Sequence, residues 1–99
     1  MKIDVEQELK SFTGQTLMIS KDQPATFKTL VMNALLQQAS NEPPQSGEEK
    51  MARFLLAESI YKCGQEIELV QIDIQRITHC VNLRYDPLIV GTLSRILNG

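Results

Sequence analysis

The residues best equipped for chemistry in this 99-residue chain are His79, Cys80 and Cys63. A thiol beside an imidazole can serve as nucleophile and base, and together the three supply donor types found in metal sites. Their spacing argues against both roles. Adjacent residues on a helix point about 100° apart, so His79 and Cys80 do not face each other. Two sulfurs and one ring, with neither a CxxC nor an HxxxH spacing, fall short of a metal-ligand set. Both thiols read instead as small buried hydrophobes, and His79 as a surface or boundary residue. Asp4, Glu6 and Glu8 alternate along the chain, so on a strand their carboxylates line one face. Such a stripe can hold a divalent cation through oxygen, but it is more often the solvated face of an edge strand. The glycines stand far apart and cannot build a phosphate-cradling loop. No enzymatic activity is expected, no catalytic, cofactor-binding or metal-ligating residue is assigned, and no cofactor is implied.

The elements that would position any site follow from periodicity and punctuation. Residues 1–20 alternate apolar and polar side chains around Ile3 and Val5, and Gly14 can take the positive φ of a tight turn. One or two short strands are expected there, as a hairpin turning near Gly14. A helix is predicted over about 26–39, capped by Thr26 or Asp22, with Pro24 in its first turn. Phe27, Leu30, Val31, Ala34 and Leu35 recur on its inner face. Pro43-Pro44 breaks the chain into a loop over 40–45.

Ser46 and Glu49 have the spacing of a reciprocal capping box, and a second helix is predicted over about 47–63, ended by Gly64. Met51, Phe54, Leu55, Leu56, Ala57, Ile60 and Tyr61 form a wide apolar arc, which predicts a central helix. Glu49/Arg53 and Glu58/Lys62 are i, i+4 pairs expected on its wet side. Glu66-Ile67-Glu68-Leu69 is extended and suited to pairing with the N-terminal strands. A third helix is predicted over about 71–83, with Val70, Ile74, Ile77, Thr78 and Val81 inward. Asp86-Pro87 opens a fourth as cap and first residue. The expected fold is therefore a single α+β domain over 1–99, mainly α, with about four helices and a small N-terminal β element.

Composition bounds the function further. A net charge of −2 and a pI near 5.3 lack the electrostatic footprint of a general nucleic-acid binder, and the basic residues form no run. The third and fourth helices have a usable helix-turn-helix spacing. However, the fourth begins Pro87-Leu88-Ile89-Val90, without the polar side chains that read base edges, so nucleic acid is not an expected partner. The N-terminal residues lack the apolar core of a signal peptide and no stretch has the length of a membrane span, so a cytoplasmic protein with no membrane partner is expected. Two cysteines fit that setting.

The fourth helix carries more apolar side chains than one stripe needs: Leu88, Ile89, Val90, Leu93, Ile96 and Leu97. The excess is either packed on two sides or left exposed as an interface. Leu88, Ile89, Arg95 and Ile96 are the candidate partner-binding residues, and a homodimer through this helix is one expected state. Gly91 lies inside the helix, where glycine costs about 1 kcal/mol against alanine. It reads first as close packing against another helix and second as the close approach of a partner.

Several short motifs run together along the chain: Met1-Lys2-Ile3-Asp4, Gly14, Thr29-Leu30 and Asn33-Ala34-Leu35-Leu36. After these come Ser46-Gly47-Glu48-Glu49-Lys50, Ile60-Tyr61-Lys62, Glu66-Ile67-Glu68-Leu69 and Tyr85-Asp86-Pro87-Leu88-Ile89-Val90-Gly91. In these the chain resembles a group of small proteins encoded by tailed bacteriophages and prophages. The resemblance spans most of the chain and implies a phage context, with no functional residue to carry over. With no catalytic constellation in the sequence, the expected function in that context is a non-enzymatic accessory protein that binds another protein, of host or phage, for instance to block a host defence complex. A head or tail assembly chaperone is the alternative, and a DNA-binding regulator the second alternative.

Overall fold

The computed structural model describes residues 1–37 and 40–98. Its order is β1 (Lys2–Asp4), β2 (Met18–Ser20), β3 (Gln23–Pro24), α1 (Phe27–Leu36), α2 (Gly47–Lys62), β4 (Glu66–Glu68), α3 (Gln71–Arg84) and α4 (Pro87–Asn98). The architecture is α+β, mainly helical, with two small antiparallel sheets. β1 pairs with β4 in the register Ile3 to Ile67, so the extended piece after α2 meets the N-terminal strand as its alternation predicts. Ile3, Val5 and Leu9 from the N-terminal segment share one core with residues of all four helices.

The chain reverses at Gly14, whose φ is +91°, and its arms are joined by Lys10 opposite Thr16. Three segments then close on one another. The Leu9 N–H donates to the Ala25 carbonyl at 2.8 Å, the Ala25 N–H to Leu17 at 2.7 Å, and the Leu17 N–H to Leu9 at 2.8 Å. This ring satisfies the backbone of three short segments that could not stand as isolated strands. Pro24 belongs to it as part of β3, opposite Met18, and not to the first turn of α1. Proline is acceptable on such an edge because it has no N–H to contribute to the ladder.

Thr26 caps α1, its hydroxyl accepting from the Thr29 N–H at 3.2 Å. The five residues expected inward on α1 are all buried. The helix reaches Leu36; Gln38 and Ala39, in the predicted span, lie outside the described residues. Ser46 caps α2 by accepting from Glu49 N–H at 3.1 Å. The reciprocal half of the box does not form, because the Glu49 carboxylate is taken by the Arg53 and Arg76 guanidinium groups. A charge-assisted bond outweighs one to a neutral amide. Gly64, at φ +81°, stops the helix.

Two expectations for α2 are overturned. It is not the central helix: α1 packs against both α2 and α3, and α3 against α4. Met51, Phe54, Leu55 and Tyr61 are accordingly exposed. Arg53 is not on the wet side but buried among Leu56, Ala57 and Ile60 on the inner face. On α3, Ile77, Cys80 and Val81 are buried, whereas Val70 is exposed because it is the cap where the chain turns into the helix. The Asp86 carboxylate accepts from Ile89 N–H at 3.1 Å and starts α4, with Pro87 as its first residue.

Candidate functional site

α4 divides its apolar side chains between two faces. Leu93 and Leu97 are buried, and Ile89, Val90 and Ile96 are half-buried against the core. Leu88, Gly91, Thr92 and Arg95 fall on the other side at i, i+3, i+4 and i+7, the spacing of one helical face. With Pro87 they line a groove of about 350 Å³, whose opposite wall is Lys10 and Phe12 from the turn before Gly14. The structure thus brings Leu88 and Arg95 together at one surface and leaves Ile89 and Ile96 half-buried against the core.

Phe12 is the most exposed large apolar residue described, at 81%. Its turn is well tied. The Ser11 N–H donates to the Gln15 carbonyl and the Gly14 N–H to the Ser11 carbonyl, both at 2.9 Å, and the Ser11 and Thr13 hydroxyls share a hydrogen bond of 2.6 Å. The ring is therefore held out on a braced loop, beside the exposed Leu88. Gly91 does not pack against another of the described helices: a Cβ built there meets no atom of the described residues within 4 Å. Phe12 and Lys10 were not candidates on sequence grounds. The one signal that marks them is an aromatic ring set between Ser11 and Thr13-Gly14, in a turn where polar residues are the norm.

A second cluster joins the 40–46 loop to α2 and α3. Arg53 Nη1 and Nη2 donate to Glu42 Oε1 and Oε2 at 3.0 and 2.6 Å. Arg53 Nε donates to Glu49 Oε2 at 2.9 Å, and Arg76 Nε to the same oxygen at 3.0 Å. His79 Nε2 lies 3.3 Å from Glu42 Oε2. The Arg53 guanidinium holds the Glu42 carboxyl below the usual carboxylate value, and Arg76, with Arg53, does the same for Glu49. The two carboxylates and two guanidiniums neutralise each other, and each of the three Arg53 nitrogens donates to a carboxylate of the protein, so the cluster is organised as a brace.

The fold keeps the imidazole, the thiols and the N-terminal carboxylates apart. His79 faces Glu42, not Cys80. Cys80 is buried, and desolvation pushes its thiol up, away from the reactive thiolate form. The expected carboxylate stripe does not form, because β1 ends at Asp4. Asp4 then accepts from the Glu6 N–H at 2.9 Å, while Glu6 pairs with Lys28. Among the described residues no three His, Cys, Asp or Glu side chains converge as a metal-holding group, and no helix is long and apolar enough to cross a membrane. Comparison with protein-family models, with curated proteins and with solved structures finds no match to this chain.

Proposed function

We propose that this chain is a non-enzymatic protein-binding module, and that its contact face is the groove between α4 and the Phe12 turn. The observation that carries the reading is the pairing of an almost fully exposed, braced Phe12 with the exposed Leu88 across an apolar floor. Sealing an exposed phenylalanine from water contributes on the order of 1.5–3 kcal/mol, and buried aromatic anchors of this kind dominate protein interfaces. In the phage setting that the resemblance implies, the partner is a host or phage protein whose working surface the module occludes; a host defence complex is such a target.

The test is quantitative capture from phage-infected lysate by the tagged protein and by its Phe12→Ser/Leu88→Ser variant, read by mass spectrometry. Both positions are exposed, so the variant is expected to keep its circular dichroism spectrum. A host partner recovered by the parent and lost by the variant supports the module and its groove. A head or tail protein recovered in the same groove-dependent way moves the role to virion assembly. A partner held equally by the variant removes the groove as the contact face.

A further inference from the structure

The charges around the groove say what kind of partner fits it. Among the described residues its lining contains two charged side chains, Lys10 and Arg95, both basic, and no acid. The chain as a whole carries −2, so this surface opposes the sign of the rest of the molecule. Pockets with one sign of charge at an apolar floor select partners of the other sign, because a like charge brought to the same site is repelled. A second copy of the chain is poorly matched by this rule. A two-fold contact through the groove places each Lys10 and Arg95 near its own symmetry copy, joining four cations with no acid between them.

The floor specifies the shape of the occupant. Gly91 stands in the middle of the α4 face, and the space where a side chain would sit is empty. No packing within the fold therefore requires glycine here. Its effect is to leave the α4 backbone open to the close approach of another backbone. From Pro87 to Arg95 the face runs for roughly 12 Å at 1.5 Å per residue, or about two helical turns. We propose that the groove takes two turns of an acidic amphipathic helix from a partner protein. Its apolar anchors seat between Phe12 and Leu88 over Gly91, and its flanking Asp or Glu carboxylates pair with Lys10 and Arg95. This inference rests on the reading of the groove as the contact face.

The test uses the full chain and two fluorescein-labelled amphipathic peptides with identical Leu and Phe anchors at i, i+3 and i+7. Every flanking residue is Glu in one and Lys in its twin. In low-salt anisotropy titrations the Glu peptide is expected to bind at least about tenfold more tightly than the Lys twin. Lys10→Glu/Arg95→Glu is expected to invert that preference. Gly91→Ala is expected to weaken the Glu peptide by about tenfold while raising the thermal midpoint, a pairing of opposite signs that a general loss of structure does not produce. Equal binding of the twins, or a preference untouched by charge reversal, overturns the acidic partner. If that binding is still abolished by Phe12→Ser, the groove itself stands as a contact face; if it survives, both readings fall. Binding of neither peptide, or a dimer in sedimentation that Phe12→Ser dissolves, also overturns the acidic helix as occupant.

Discussion

Arg53 and Glu42 meet side by side, two nitrogens to two oxygens, with 7% and 2% of their side chains exposed. They stand eleven positions apart in the chain, and between them lie Pro43-Pro44 and the cap of α2. The pair fastens the connection into α2, and through Glu49 and Arg76 it fastens α2 to α3. A buried ion pair gains little over a well-packed apolar pair, but breaking one partner away is costly, because the survivor is left as an uncompensated charge.

Arg53→Met is therefore expected to destabilise the fold by about 3 kcal/mol or more, measured by urea denaturation at neutral pH. Adding Glu42→Leu to that variant is expected to restore part of the loss, since both charges are then gone. A double variant no more stable than the single one would show that the side chains act by shape alone.

The same cluster sets the acid limb of stability. Glu42 and Glu49 have folded pKa values below the ordinary 4.5, so the native state binds fewer protons than the unfolded chain in that range. Their contribution is present in full above that value and is lost as the pH falls through the depressed folded values. Urea midpoints are expected to decline from about pH 5 downward, with a shallower decline in Glu42→Gln/Glu49→Gln, which is already weaker at pH 7. An identical slope in parent and variant would place the acid sensitivity elsewhere.

Two glycines in helical surroundings are expected to respond to alanine with opposite signs. Gly64 sits at φ +81°, where a Cβ is strained, so Gly64→Ala should cost about 1–2 kcal/mol. Gly91 has ordinary helical geometry and open space, so Gly91→Ala should stabilise by about 1 kcal/mol. Thermal melts of the two variants check both numbers.

Cys80 is buried with its thiol pushed up by desolvation, whereas Cys63 is half-buried at the end of α2. One thiol is expected to react with Ellman's reagent in the native protein and two after unfolding. Cys63→Ser should abolish the native reaction, and rapid labelling of Cys80 in that variant would mean that α3 opens readily.

Local signals in the sequence determined the elements. Ser46 and Asp86 cap the helices that their spacing assigns them, Thr26 rather than Asp22 caps α1, and Gly14 and Gly64 hold the positive φ that a turn and a helix stop require. These signals act within four residues of backbone, so they are legible wherever they occur. The pairing of 66–68 with the N-terminus followed from alternation. What only the tertiary structure decided depends on which face of each helix meets a neighbour. Periodicity marks Phe54, Leu55 and Tyr61 as inward and Arg53 as outward, yet α1 took the central place and reversed both assignments. A guanidinium can replace an aliphatic side chain in the core only where a carboxylate from a distant segment arrives to match it, and that arrival belongs to the fold. The groove is of the same kind: α4 supplied Leu88, Gly91 and Arg95 at a legible spacing, but Phe12 and Lys10 came from a turn some eighty residues earlier. Its shape and charge exist only once the chain has closed.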